Sequence, residues 1–354
     1  MWRAAVRTRV RSFCIFSQVR CGVIQLQMTT GAIEGVEDVW RVFDGSPSTC
    51  VPLGSGAPKG TILRASMGEV RLTAGTLSDI RARVSIDNDR IAFCMKLDSD
   101  STLFSFRSGK AVLAGDVYRL TRGDVCDYRV TGPMRFAIIS LDADFLLKHL
   151  GEDALREAAP FWEQRAWFRA PETVRAAMVR SVRSIVSHVH KANSPLTGQA
   201  LRQLQSELLE QFLKGVLLDD RRPNERNALS SAAIVRNVEN WVEGQSPDTI
   251  QLADLCRALR LSRRTLHRAF AETLGMGPAR YLARQRLTAV RAELRRSNPA
   301  AIKVTDTATK YGFWELGRFA REYRRTFGER PSETLGKGMR RRAEPDRASN
   351  AVWN

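Results

Sequence analysis

The chain has 354 residues, with 56 Lys and Arg against 38 Asp and Glu for a formal net charge of +18. That length suggests two domains, and 43% hydrophobic with 8% aromatic residues is enough for packed cores, which excludes wholesale disorder. No apolar run reaches the roughly 18 residues that span a bilayer, so no integral membrane protein is expected.

The charge is unevenly placed: +5 on residues 1–28, +2 on residues 29–227 and +11 on residues 228–354. A near-neutral middle followed by a strongly basic C-terminal third points to a nucleic-acid module behind an ordinary globular domain. Cys14, Cys21, Cys50, Cys94, Cys126 and Cys256 form no CxxC pair. They read as free thiols in a reducing, cytoplasmic setting rather than as a disulfide or zinc framework.

Residues 1–28 form a basic leader with five arginines and no acid. It looks like a transit peptide or a weak signal, but Arg9, Arg11 and Arg20 interrupt every apolar stretch. The reading adopted is an over-extended start, with Met28 as the working initiator.

Residues 29–220 read as a sensing and dimerisation domain. Short alternating runs from Thr61 to Leu141 are separated by turn residues: Thr76–Ser85, Ile91–Leu97, Thr102–Phe106, Ala111–Leu120, Tyr128–Val130 and Met134–Leu141. About seven strands at this spacing suggest a small all-β barrel or jelly roll. Phe93, Phe104, Phe106, Tyr118, Tyr128 and Phe136 are the aromatic candidates for its interior, either as core or as the walls of a small-molecule pocket. Two amphipathic helices follow, Thr173–Lys191 and Gln199–Leu218, which pack on the barrel or pair with a second copy of the chain. The polar stretch 219–227 around Pro223 has no apolar period, and 221–227 reads as the linker.

Catalytic chemistry finds little material here. Residues 29–140 contain no histidine, so a metal-dependent jelly-roll enzyme is not expected. His188 and His190 lie two apart on a helix and face different directions. There is no G-x-S-x-G elbow. No metal and no cofactor is expected, and no enzyme.

Residues 228–336 are more specific. Ser230–Glu243 predicts a helix; Leu252–Leu259, the turn Arg260-Leu261 and a Ser262-capped helix Arg263–Leu274 predict a helix-turn-helix. Leu266, Ala269, Phe270 and Leu274 face inward, leaving Arg263, Arg264, His267 and Arg268 outside. The pattern recurs with Val304–Tyr311, a Gly312-Phe313 turn and Glu315–Phe327, whose inner face is Phe319, Tyr323 and Phe327. Arg318, Arg321, Arg324 and Arg325 lie on its outer face. Gly328 ends that helix, and Pro331-Ser332 opens a final short one. Between the units, Pro278–Ser297 predicts one helix of roughly 30 Å. Successive major grooves on one side of B-DNA are about 34 Å apart, so such a helix could set two recognition helices in adjacent grooves.

These residues resemble the AraC/XylS family of bacterial transcription regulators. Tyr311-Gly-Phe-Trp-Glu-Leu-Gly-Arg-Phe and the run on to Ser332 look like its signature, and Ser262–Phe270 with Tyr281-Leu and Arg286-Leu287 match its first unit and linking helix. The Gly-Phe-Trp-x-Leu-Gly-x-Phe run is most similar to the branch of ethanolamine-utilisation operon regulators. The resemblance implies an α+β protein: a cupin-like β-barrel sensor with two trailing helices, then an all-α domain with two helix-turn-helix units. It further implies a ligand-responsive activator that binds double-stranded promoter DNA, recruits RNA polymerase and works as a homodimer. A regulator controlled by dimerisation or by a protein partner, with no small-molecule effector, is the alternative.

Carried over by position, the base-edge readers are Arg263, Arg264, His267, Arg268, Arg318 and Arg321, with Arg324 and Arg325 on phosphates. Arginine suits this work because its planar fork can bond guanine O6 and N7 together. Three departures stand out. Arg260 occupies a turn position usually held by glycine, Trp314 replaces a small polar cap, and Leu316 and Gly317 replace polar contact residues. The second unit is therefore expected to lean on thymine methyls or on DNA shape. The basic tail 337–354 is expected to be disordered and to add at most unspecific attraction to phosphates.

Overall fold

The computed structural model describes residues 27–33, 35–39, 42, 46–150, 166–191, 198–219, 231–243, 245, 250, 252–298 and 301–336. The linker 221–227, the tail 337–354 and the leader up to residue 26 lie outside the described residues. The last two leader residues, Gln27 and Met28, pair with Ser66 and Ala65 in the first strand.

Twelve strands are found among the described residues: β1 Gln27–Ile33, β2 Ser46–Pro52, β3 Gly60–Met67, β4 Val70–Leu77, β5 Ile80–Ser85, β6 Ile91–Lys96, β7 Thr102–Ser105, β8 Lys110–Val112, β9 Val117–Leu120, β10 Val125–Thr131, β11 Met134–Leu141 and β12 Trp167–Phe168. Two runs read as continuous are split by their turn residues. Thr76–Ser85 breaks where Asp79 takes a left-handed φ of 48°, and Ala111–Leu120 breaks where Gly115 takes φ 80°. The expected seven strands of residues 60–141 are therefore nine.

The strands form two sheets and do not close into one barrel. One sheet runs β1-β3-β4-β11-β6-β9-β12 and the other β2-β5-β10-β7-β8. Period-two alternation gives each sheet two distinct faces. Along β11, Phe136 and Ile138 face the opposite sheet while Ala137, Ile139 and Leu141 face the helices.

Those helices are α1 Ala143–Leu150, α2 Glu172–Lys191 and α3 Gly198–Leu217. Met178, Val182, Ile185 and Val189 of α2, with Leu201, Leu208, Phe212 and Val216 of α3, share a core with Leu72, Phe93 and Met95. Of the two packings expected for this pair, the one on its own sheet is observed. Phe93 is thus under the helices and not inside the sandwich.

The C-terminal helices are α4 Ser231–Glu243, α5 Leu252–Ala258, α6 Arg263–Leu274, α7 Pro278–Arg296, α8 Val304–Lys310 and α9 Leu316–Phe327. Residues 331–336 form a last helix, α10. The layers stack in a fixed order: α2 and α3, the larger sheet, the smaller sheet, then α4, α6 and α7 on its outer face.

Candidate nucleic-acid interface

In the first unit the Ser262 hydroxyl accepts from the Thr265 N–H at 3.0 Å, which caps α6. Gly275 closes the helix in the left-handed conformation, φ 67°. The turn before it is held by Arg260 at φ 52° and by the Leu261 N–H bonded to the Cys256 carbonyl at 2.9 Å. Leu266, Ala269, Phe270 and Leu274 are buried against Val235 and Val238 of α4 and Leu255 of α5. The helix is amphipathic, so burying that stripe leaves Arg263, Arg264, His267 and Arg268 exposed.

The second unit is built alike. Phe319, Tyr323 and Phe327 pack edge to face along α9, with successive centroids 5.6 and 4.7 Å apart. Gly328 ends the helix at φ 75°. The Tyr323 hydroxyl donates to Thr334 at 2.9 Å and so ties α10 to it. Arg318, Arg321, Arg324 and Arg325 are exposed. Arg325 pairs closely with Glu322 one turn away, and Arg318 stands 3.9 Å from Glu315.

One helix belongs to both cores. Tyr281 and Leu282 of α7 lie in the first core, and Leu287, Val290 and Leu294 lie in the second. Its 19 residues span roughly 28 Å. Arg291 of α7 also bonds Glu329 through Nε and Nη2 at 3.1 and 3.0 Å and stacks on Phe327.

Reading α7 for its apolar stripe alone missed its arginines. Arg280, Arg284 and Arg286 line a groove of about 530 Å³ against α9, together with Arg318, Arg325 and Trp314. Three arginines within seven residues were the available signal. Burial, then the charges of Arg280 and Arg325, lower the Arg284 pKa to about 10.

A second assembly joins this domain to the sheet sandwich. Arg81, on the outer face of the smaller sheet, has no exposed surface. Its Nε and Nη2 bond both carboxylate oxygens of Glu239 on α4, at 3.0 and 2.5 Å. Asp127 lies 2.6 Å from its Nη1, the Tyr281 hydroxyl donates to Glu239, and the guanidinium sits 3.8 Å over the Phe106 ring. Burial alone would lower the Arg81 pKa, but the carboxylates of Glu239 and Asp127 raise it above the usual arginine range. Arg284 Nη1 donates to the Pro52 carbonyl at 2.7 Å, and the Gly56 N–H donates to the Arg325 carbonyl at 3.1 Å. Phe104 and Phe106 belong to this contact and not to the interior of the sandwich.

Between the sheets is an apolar cavity of about 80 Å³, lined by Leu77, Leu103, Tyr118, Tyr128, Phe136 and Ile138 among others. Three of the six aromatic candidates therefore line it. Cys94 and Cys126 also face it, and burial raises both thiol pKa values. Burial likewise pushes the Tyr118 phenol up to about 12. Cys50, Cys94, Cys126 and Cys256 are free thiols. His188 and His190 are exposed, and no cluster of metal-ligating side chains occurs among the described residues. No helix of the described residues is long and apolar enough to cross a membrane.

Residues 255–337 match the model of a family described as a helix-turn-helix domain. The XylDLEGF operon transcriptional activator 3 of Pseudomonas putida is 35% identical over 109 residues, which cover 31% of this chain and 33% of that protein. The HTH-type transcriptional activator RhaS of Escherichia coli (strain SE11) is 28% identical over 162 residues, 45% of this chain and 55% of its own. The chain thus spans between a third and just over half of the length of these two curated relatives. Among solved structures, the AraC-like transcriptional activator CuxR aligns with 75% of this chain and 96% of its own at 12% identity and a TM-score of 0.40.

Proposed function

We propose that this chain, whose C-terminal domain is a helix-turn-helix domain of the AraC type, is a sequence-specific DNA-binding transcriptional regulator and not an enzyme. The observation that carries the reading is the sharing of α7 between two helix-turn-helix cores, each with a recognition helix that exposes four basic side chains. A rigid connection of roughly 28 Å suits adjacent major grooves about 34 Å apart along one face of the duplex. On this reading Arg263, Arg264, His267, Arg268, Arg318 and Arg321 meet base edges, and Arg324 and Arg325 meet phosphates. The relatives from Pseudomonas putida and Escherichia coli are transcriptional activators, which supports an activator. A cytoplasmic homodimer acting on RNA polymerase completes the proposal, on the family resemblance.

We also propose that the sandwich is a cupin-like sensor and that its cavity, about 80 Å³ when empty, widens to take a small apolar effector. The same sheet lines the cavity with Leu103, Cys126 and Tyr128 and docks the first helix-turn-helix unit with Arg81, Asp127 and Phe106. A ligand that displaces β10 would move Asp127 and with it the Arg81–Glu239 contact, because neighbouring residues of one strand point to opposite faces. Small uncharged aromatic compounds should raise the thermal unfolding midpoint of the full chain in a concentration-dependent way. A flat response across such a panel would leave regulation by dimerisation or a protein partner.

The DNA-binding reading is tested by selecting duplexes from a random pool with the full chain. Enriched duplexes should share two sites about one helical turn apart. Arg264→Ala and Arg321→Ala should each weaken binding at least fivefold, from the ~1–3 kcal/mol of one bidentate base contact. No enrichment, or unchanged affinity in both variants, would remove the site assignment.

A further inference from the structure

Among the described residues the exposed large hydrophobic side chains are Met28, Leu113, Trp314 and Leu316. The last two stand together at the start of α9, with Trp314 75% and Leu316 40% exposed. Singly exposed apolar residues are ordinary, but two at the leading end of an arginine-covered helix are a local feature. Leu316 opens the helix and Gly317 follows it. Glu315, at the cap position, makes no side-chain capping bond. The entry to this helix thus lacks the polar group that usually satisfies its first N–H donors.

Gly317 adds a second observation. A Cβ built at this position meets nothing within 4 Å, and no left-handed backbone requires glycine there. Glycine weakens a helix relative to alanine, and nothing among the described residues packs against this position to compensate. Glycine without an internal steric reason fits a backbone that approaches an external surface closely. The surrounding charge indicates which surface. Trp314 rims the groove lined by Arg280, Arg284, Arg286, Arg318 and Arg325, and Arg321 and Arg324 are exposed farther along α9.

We infer that Trp314 and Leu316 are specificity-determining residues that read thymine C5-methyl groups in the major groove of the second half-site, with Gly317 allowing the close approach. The inference rests on the DNA-binding reading proposed above. The methyl group of thymine is the apolar feature of the major-groove edge, and apolar side chains recognise it by contact. Arg324 and Arg325 hold the duplex by its phosphates, so the apolar pair adds base selection beside Arg318 and Arg321 without adding charge. The second half-site is then expected to be T-rich opposite the start of α9, whereas the first, under Arg263, Arg264 and Arg268, favours guanine.

The test uses the full chain and a duplex selected from the random pool. Each thymine in the half-site protected by the second unit is replaced by deoxyuridine, which removes only the methyl group. Wild-type affinity should fall about fourfold for each contacted methyl, the cost of exposing roughly one methylene equivalent. The double variant Trp314→Ser, Leu316→Ser should bind the thymine duplex more weakly and be indifferent to deoxyuridine. Its thermal midpoint should stay near wild type, because both side chains are exposed. Gly317→Ala should raise the thermal midpoint while weakening DNA binding, a combination that a purely structural role does not produce. Indifference of the wild-type chain to deoxyuridine throughout that half-site, with Arg321→Ala still damaging, would overturn the inference and leave the DNA-binding reading intact. Failure to enrich any duplex would instead overturn the reading beneath it. A double variant that keeps its deoxyuridine response but no longer activates transcription with purified polymerase would transfer the pair to a protein partner.

Discussion

Arg260 sits in the turn between α5 and α6 with φ 52°, a region that a side chain with a Cβ enters at a cost of roughly 1–2 kcal/mol. The resemblance to a family with glycine at this turn flagged the position, and the left-handed backbone is the physical reason. Replacing it by glycine removes the steric cost but adds unfolded-state entropy of about 0.5–1 kcal/mol. Arg260→Gly should therefore stabilise the domain by up to ~1 kcal/mol, read as a higher urea midpoint at unchanged slope. A lower midpoint would show that the arginine side chain contributes more than its backbone costs. Caps of this kind were legible in the sequence because they are local. Ser262, Pro278, Gly275 and Gly328 each mark a helix end, and the observed bounds of α6, α7 and α9 lie within a residue or two of the predicted ones.

At the scale of elements, contacts between distant segments were illegible. Arg81 alternates along β5 as a solvent-facing arginine would, and Glu239, although it sits on the buried face of α4 beside Val235 and Val238, carries no local mark of its partner. Their pairing across 158 residues depends on which face of the smaller sheet meets α4, and no local pattern encodes that. The same absence put Phe104 and Phe106 inside the sandwich in the sequence reading. A period of two says that a strand has two faces but does not identify the layer each one meets. The cluster also ranks its members. Arg81→Met would strand the Glu239 and Asp127 carboxylates without their cation, which should cost about 3–5 kcal/mol. Asp127 is near Arg81 without a hydrogen-bond geometry, whereas Glu239 holds it through two bonds. Asp127→Asn should therefore cost far less, about 1 kcal/mol. Urea unfolding of the two variants distinguishes them, and equal losses would contradict the ranking.

In the whole molecule, the +18 resolves into +5 on residues 1–28, +2 on residues 29–227 and +11 on a basic C-terminal part whose named arginines lie on two recognition helices and a groove between them. The domain order, the doubled helix-turn-helix and the outward arginines were legible because each follows from amphipathic spacing. The closure of the β domain was not, since two sheets and one barrel share the same alternation. The cavity and the DNA-binding domain lie on opposite faces of one sheet, so a single layer separates the proposed signal from its readout. Both recognition helices are attached to α7, so they should act as one body on DNA. Hydroxyl-radical footprinting of the full chain on a selected duplex tests this most directly. Two protected patches should appear on one face of the duplex, about 10 base pairs apart centre to centre. Arg264→Ala should thin one patch and Arg321→Ala the other. A single patch, or two patches that respond identically to both variants, would contradict it.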